Sequence, residues 1–227
     1  MDATGEWTTE LQLWLREQAI DAGFDTAGVA PVDTPELNQV DAERFAAWVA
    51  AGRAGEMEYL KRRDEQGVLL RSNVQTAMPW ARSVIVCALN YNAQAPLSIA
   101  SASPNTGWIA RYAWSGQPAN KPASETPNPN ENKIQNAELL PTDYHDQLLT
   151  RLRRVESALL ARLPCETRCY VDTGPLVERT MAASAGVGWI GKNTCVINQQ
   201  LGSWLLPGVI VTSLPIAPQA ESPIAAD

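Results

Sequence analysis

Asp172 is the residue whose type and position most clearly suggest chemistry. It follows a predicted strand, Thr167–Val171, and precedes a Thr-Gly-Pro turn and a predicted helix, Leu176–Ala185. Ligands of α/β folds collect beyond the carboxyl ends of strands, so a carboxyl group at this place suits a general acid. The alternative is structural, because an acidic side chain here also complements the start of a helix. From the residues alone, both interpretations stay open.

A glycine-rich stretch, Gly186–Asn193, imitates two phosphate-binding motifs. Its glycines match G-x-G-x-x-G and most of the P-loop pattern. Both motifs need a strand before the loop and a helix after it, so that backbone N–H groups and a helix N-terminus face the phosphate. Here a predicted helix precedes the loop and a predicted strand, Asn193–Asn198, follows it. We therefore expect Gly186 to cap the preceding helix, and nucleotide binding is disfavoured.

Five further side chains have types that could bind a polar or planar ligand. Lys192 and Asn193 could donate hydrogen bonds to amide or phosphate oxygens, and their structural alternative is a solvated turn. Trp189 and Trp204 could lie beside a flat ring, although a tryptophan is more often part of a core. Ser203 shares the LGSW turn with Trp204. None of these residues identifies a ligand by itself.

Basic and metal-ligating side chains give weaker signals. Arg62 lies near the end of a predicted helix, Gly55–Arg63, where a basic residue usually complements the helix dipole. Cys165 and Cys169 form a C-x3-C pair that has no further partners and is weak as a metal signature. The single histidine, His145, excludes a site that needs several imidazoles from this chain. We predict free thiols and no metal site.

Composition limits the class of protein. The chain has 227 residues, of which 45% are hydrophobic, enough for a sizeable core. Its net charge of −7 makes it a poor candidate for a protein that binds nucleic acid mainly through its own positive charge. The start is acidic and polar and lacks the features of a secretory signal. The longest apolar stretch, Trp204–Ile210, is too short to span a bilayer. We expect a cytoplasmic protein without membrane contact.

Predicted helices and strands alternate along the chain. The helices are Thr9–Ala22, Ala42–Ala51, Gly55–Arg63, Tyr144–Leu163 and Leu176–Ala185. The strands are Thr26–Val32, Ser83–Tyr91, Thr167–Val171, Asn193–Asn198 and Ser203–Ser213. The run SVIVCALNY is apolar almost throughout, as is typical of a central strand buried on both faces. The pattern predicts an α/β or α+β fold in which helices flank one mixed central sheet.

One internal stretch and the end of the chain have a different composition. The stretch Gln117–Thr142 is rich in Pro, Asn and Ser, and it offers too little apolar surface to offset the entropy of ordering it. It is therefore predicted to be a mobile loop. We expect one domain over residues 1–216, with this loop inserted at 117–142, followed by an Ala/Pro-rich tail at 217–227.

Several motifs, taken in order, resemble the epoxyqueuosine reductase family. They are GEMEYL from Gly55, SVIVCALNY from Ser83, RYAWSG from Arg111, DYH from Asp143, VDTGPLVERTMAASAGVGWIGKNT from Val171 and LGSW from Leu201. The ordered set is more specific than any single motif, and the resemblance covers about residues 7–216. The part resembled is the family's cobalamin-binding region, which implies a nitroreductase-like fold.

The resemblance implies a cobalamin site and a reaction on tRNA. The family reduces epoxyqueuosine to queuosine in the anticodon loop of tRNA and releases the epoxide oxygen as water. By resemblance, Asp172 is the proton donor and also touches the cofactor. The other cofactor contacts that the resemblance implies are Arg62, Trp189, Lys192, Asn193, Ser203 and Trp204.

The chain departs from the family pattern in two ways. The family carries two [4Fe–4S] clusters in a following ferredoxin-like domain, but no C-x2-C-x2-C-x3-C-P run occurs in these 227 residues. We therefore expect the cobalamin domain of a truncated protein, with the tail at 217–227 as the start of a missing iron–sulfur domain. Such a protein would be inactive without an external or missing-domain electron donor. In the family, DYH follows the RYA stretch almost directly, whereas Gln117–Thr142 intervenes here. No cobalt-ligand role is expected for His145.

Two other functions remain open at this point. One is a cobalamin-binding module without activity. The other is a flavin- or nucleotide-binding reductase of similar build, in which the glycine turn binds phosphate. Optical spectra separate these classes, because corrinoids and flavins absorb differently.

Overall fold

The computed structural model describes residues 7–32, 35–92, 99, 105–114 and 143–216. The helices are α1 Thr9–Asp21, α2 Pro35–Ala50, α3 Val74–Ala77, α4 Tyr144–Arg162 and α5 Glu178–Ser184. The strands are β1 Thr26–Pro31, β2 Ser83–Asn90, β3 Thr167–Tyr170, β4 Trp189–Ile190, β5 Val196–Ile197 and β6 Leu205–Thr212. The predicted loop at 117–142 and the tail at 217–227 lie outside the described residues.

A four-stranded sheet in the order β1-β2-β6-β3 forms the centre of the fold. Its three strand pairs are all antiparallel, and β4 and β5 form a separate antiparallel pair. The α/β class is confirmed, but among the described strands the sheet is antiparallel rather than mixed. Alternation of helices and strands does not fix strand direction, and an antiparallel sheet covered on both faces also gives continuous apolar runs. An isolated parallel bridge joins Trp7 to Ile216.

The central strand β2 separates two apolar layers. Ile85 and Cys87 face the layer that contains α1 and α4, whereas Val84 and Val86 face the layer that contains α5. All four side chains are fully buried, as the period of two along a strand requires when both faces are covered. The prediction of a central strand at SVIVCALNY is confirmed.

A buried hydrogen-bonded chain fastens the first described residues to the last ones. The indole Nε1 of Trp7 donates to the Ser83 hydroxyl at 2.8 Å, and that hydroxyl donates to the Leu214 carbonyl at 2.6 Å. The side chains of Trp7 and Ser83 are fully buried, so each polar group needs its partner. These bonds hold the start of α1 close to the beginning of β2 and the end of β6.

Helices α1 and α4 begin and end close to their predicted bounds. α1 is capped by the hydroxyl of Thr8 and α4 by the carboxylate of Asp143, which accept backbone N–H groups. α2 begins earlier than predicted, at Pro35. α5 starts at Glu178, two residues later than predicted, because the chain is still in a turn before it. In the described part of the chain, no helix is long and apolar enough to cross a membrane.

The predicted helix Gly55–Arg63 is wrong. Only Glu58–Leu60 form a short 3-10 turn. Gly55 has a φ of +54°, and the Asp64 carboxylate accepts the backbone N–H groups of Gln66 and Val68. Within the segment, the N–H groups of Leu60 and Lys61 bond the carbonyls of Met57 and Glu58 three residues back, as in a 3-10 turn, so the segment forms a folded loop.

Candidate active site

Asp172 lies in a tight turn directly after β3. Its φ is +53°, a left-handed conformation that a non-glycine residue adopts at a cost of ~1–3 kcal/mol. The N–H of Thr173 donates to the Val171 carbonyl at 2.6 Å and closes the turn. At Gly174 a Cβ would lie 2.7 Å from the ring of Tyr170, so the backbone there packs too closely for a side chain. The turn therefore constrains the backbone that carries the Asp172 carboxyl.

Two residues from the start of α4 reach the Asp172 carboxyl. The hydroxyl of Tyr144 donates to Oδ2 at 2.6 Å, and Nε2 of His145 lies 3.6 Å from the same oxygen. Burial, followed by the bond to Asp172, raises the pKa of Tyr144 well above its usual range. The Asp143 carboxylate holds the other imidazole nitrogen, Nδ1, at 2.8 Å. The DYH and VDTGP motifs thus meet in space.

A second carboxyl group lies beside Asp172. Glu178, in the first turn of α5, is mostly buried, and its pKa is raised to about 8 by burial and by repulsion from Asp172. The Arg71 guanidinium acts in the opposite direction. The Asp172 side chain is 45% exposed, so the desolvation expected at the proton donor falls on Glu178 in this structure. Desolvation of Asp172 by a corrin face stays a prediction.

A row of aromatic rings extends from Asp172 across the ends of the strands. Tyr144 contacts Tyr112 at a centroid distance of 5.5 Å, Tyr112 contacts Tyr91 at 6.5 Å, and Tyr91 contacts Trp204 at 5.5 Å. The guanidinium of Arg111 lies 4.4 Å from the centroid of the Trp204 ring. The structure therefore connects Trp204, a predicted site residue, with Asp172 through this aromatic row.

The glycine-rich stretch carries predicted site residues, among them Lys192 and Asn193. Burial raises the pKa of Tyr91, and the charge of the Cys195 side chain, two residues after this stretch, raises it further. Lys192 and Asn193 are exposed in the turn. The side chain of Asn193 accepts the N–H of Cys195 at 3.2 Å, so its amide nitrogen points away from that bond.

The rest of the glycine turn agrees with the order of elements expected from the sequence. Gly186 has a φ of +69°, and its N–H donates to Ala183 at the end of α5, so its role as a helix cap is confirmed. The predicted strand Asn193–Asn198 is shorter than expected, since only Val196–Ile197 pair with β4. Thr194, with a φ of +64°, keeps the first residues in a turn.

The remaining predicted site residues border the same region. Trp189 is 52% exposed at the start of β4, and Ser203 is half-buried in the turn before β6. Arg62 is exposed in the folded loop. The folded loop continues to Arg71, whose guanidinium donates to the Leu176 carbonyl at 3.3 Å, so it lies against the chain between Asp172 and α5. Among the described residues, no contact joins the side chains of Arg62, Lys192 or Ser203 directly to Asp172.

Tyr144 and Glu178 were not among the predicted site residues. Tyr144 belongs to the DYH motif, so the order of motifs already contained a signal for it. Glu178 follows Asp172 by six positions, but only the folded turn brings the two carboxyl groups together.

The side chains around Asp172 suit a large ligand that has both an apolar surface and polar side groups. Around the edge lie exposed rings and aliphatic side chains, of which Tyr112, Trp189 and Ile190 are 44%, 52% and 46% exposed. Lys192, Asn193 and Arg62 add N–H donors suited to amide and phosphate oxygens. Across the described residues, no three His, Cys, Asp or Glu side chains cluster as a metal site would need. The four cysteines are free, as predicted.

A family model and the curated relatives that match this chain point to the same family. Residues 71–173 match the family model described as epoxyqueuosine reductase QueG, DUF1730. The chain is 35% identical over 210 residues to an epoxyqueuosine reductase of Gloeobacter violaceus, a match that covers 91% of this chain and 52% of that protein. The chain thus spans about half the length of the curated relatives it matches.

Solved structures agree at the level of the fold. The structure of an epoxyqueuosine reductase from Streptococcus thermophilus superimposes with a TM-score of 0.65 at 23% identity, covering 93% of this chain and 48% of that one. A crystal structure of an epoxyqueuosine reductase with an epoxyqueuosine-modified tRNA-Tyr stem loop has a TM-score of 0.64 at 25% identity. That match covers 93% of this chain and 47% of the other.

Proposed function

We propose that this chain, which belongs to the epoxyqueuosine reductase family over the region that they share, binds cobalamin at the edge around Asp172 and takes part in reducing epoxyqueuosine in tRNA. The observation that carries the proposal is the Asp172 carboxyl itself. It is fixed by a strained turn, bonded to Tyr144, and set at one end of a row of partly exposed aromatic rings. A general acid beside a flat apolar surface is what such a reduction needs.

Six other side chains would hold the cofactor in this proposal. Trp189 and Trp204 border the macrocycle with their rings, and Ser203 offers a hydroxyl beside them. Lys192 and Asn193 donate to the amide and phosphate-bearing side chains, and Arg62 adds a cation from the folded loop. When bound, cobalamin supplies a reduced cobalt that can deliver two electrons to the epoxide carbon.

The role of Asp172 is to protonate the oxygen that leaves carbon. Removing an epoxide oxygen as water consumes two electrons and two protons, and Asp172 provides one of those protons. The Tyr144 hydroxyl orients the carboxyl through its bond to Oδ2, and the imidazole of His145 lies on the same side. A proton delivered by a positioned carboxyl typically contributes ~10²–10⁴-fold to the rate.

Electron supply and the tRNA substrate complete the proposal. The epoxyqueuosine-modified stem loop bound by the structural neighbour supports a tRNA anticodon loop as substrate. The electrons would come from an external donor or from [4Fe–4S] clusters held by another domain. We treat residues 1–216 as one cobalamin domain with an insertion at 117–142, and a cytoplasmic location stays a prediction.

Titration of the purified chain with cobalamin tests the proposal. Binding should change the visible spectrum of the corrinoid and raise the melting temperature, because a ligand selective for the folded state stabilises it. Lys192→Ala should weaken binding, whereas Arg154→Ala, which removes an exposed cation on α4, should not. Binding of a flavin instead of cobalamin would favour the flavin-dependent alternative and overturn the proposal.

A further inference from the structure

Glu178 is a partly buried acid that the proposed mechanism does not yet use. It begins α5, and its Oε1 is buried without a hydrogen-bond partner in the described structure. Its carboxyl lies beside Asp172, whose side chain and backbone both interact with it. A buried carboxylate with an unpartnered oxygen beside another carboxylate is costly, whereas a protonated one can donate to its neighbour.

The charged groups around Glu178 favour its neutral form. Burial is the largest effect, the negative charge of Asp172 is the second, and together they raise the pKa of Glu178 to about 8. Arg71, which faces it from the folded loop, opposes them but is also engaged with the Leu176 carbonyl and the ring of Tyr59. On α5 itself, Arg179 donates to the Thr194 carbonyl.

The two residues of α4 that contact the Asp172 carboxyl both lie nearest to its Oδ2 and do not occupy its Oδ1. Tyr144 donates to Oδ2, and His145 Nε2 also lies nearest to Oδ2. Oδ1 is therefore the oxygen at which a proton shared between the two carboxyl groups would be placed. The side chain of Asp172 is 45% exposed and can reach a reacting molecule, whereas Glu178 is mostly enclosed.

We propose that Glu178 holds the proton that Asp172 delivers, so that Glu178 is a positioning residue acting through Asp172. This inference rests on the proposed function of Asp172 as an acid. The O–H bond of Glu178 breaks and its proton moves to the Asp172 carboxylate, which then passes that proton to the leaving oxygen. The electron pair of that bond stays on Glu178 as a carboxylate, which faces Arg71. A proton from water then restores Glu178.

Titration of the carboxyl groups in the cofactor-free chain tests this sharing. With ¹³C-labelled carboxyl groups followed by NMR, the pair should titrate in two separated steps, the upper one near pH 8. Glu178→Gln should abolish the upper step. Asp172→Asn should move the upper step down by about one pH unit, because the repelling charge is gone. A glutamate that is not coupled to the Asp172 carboxyl would not respond to Asp172→Asn in this way.

A matched control removes a carboxyl from the first turn of another helix. Glu10→Gln in α1 takes away an exposed carboxylate and should leave the upper step in place. Titration of both carboxyl groups near the usual pH of an exposed acid would overturn the shared proton even if cobalamin binds. Two separated steps without cobalamin binding would instead keep the shared proton and overturn the proposed function.

Discussion

Replacing Glu178 with glutamine should change how the stability of the chain depends on pH. The pKa of Glu178 is about 8 in the folded chain and 4.5 for an ordinary glutamate. The folded state therefore binds this proton more tightly than the unfolded state. The resulting stabilisation is complete below pH 4.5 and is lost as the pH rises through about 8.

The size of the effect follows from the pKa difference. Each pH unit between the two pKa values corresponds to ~1.4 kcal/mol, so the free energy of unfolding should fall by at most about 5 kcal/mol across the interval. That is a large part of the ~5–15 kcal/mol that holds a typical protein folded. The glutamine side chain of Glu178→Gln would stay neutral, so the variant should match the parent near pH 5 and exceed it above pH 8.

Urea unfolding at one-unit steps from pH 5 to pH 9 measures the difference. Parent, Glu178→Gln and Glu10→Gln should be compared, and the slope of the free energy with urea should stay the same for all three. Glu10→Gln should follow the parent at every pH, since Glu10 is exposed on α1. Curves for the parent and Glu178→Gln that run parallel from pH 5 to pH 9 would refute the reasoning.

Two other substitutions test the fold and the site. Gly28→Ala should lower the free energy of unfolding by about 2 kcal/mol or more, because its Cβ would lie 1.9 Å from the Ala185 carbonyl oxygen; thermal unfolding checks this against Gly107→Ala, where open space predicts little change. Asp172→Asn should leave cobalamin affinity within about twofold but lower turnover by ~10²–10⁴ when assayed in a version supplied with electrons. Turnover that survives this substitution would remove Asp172 as the acid.

The sequence correctly predicted those helices, strands and caps that depend on residues close together along the chain. The apolar run at β2, the heptad-like spacing in α4 and the glycine that caps α5 each depend on residues close in sequence, and all three were recovered. The failed helix at Gly55–Arg63 shows the limit, because Gly55 is left-handed and only Glu58–Leu60 form a short 3-10 turn there.

Which residues form the candidate site depends partly on contacts between residues far apart in sequence, and a local sequence pattern does not reveal such contacts. Asp172 and Trp204 were predicted from motifs, and the structure connects them through the aromatic row. The buried acid Glu178 could not be found in this way, since its raised pKa depends on burial and on the folded turn at Asp172. Strand direction was missed for a similar reason, because a run of apolar residues does not reveal which way its neighbours point.

The pairing of β2 with β6 has a consequence for how the chain folds. Ser83 lies opposite Thr212, and its hydroxyl bonds Leu214, 131 positions further along the chain. A contact between residues so far apart in sequence forms only after a long loop has closed, and closing that loop costs entropy. Such a chain folds more slowly than one whose contacts are mostly local. During synthesis β1 and β2 can pair early, but a two-stranded ribbon is only marginally stable. The apolar side chains of β1 and β2 therefore stay exposed until β6 has left the ribosome. During this interval the nascent chain is most prone to aggregation.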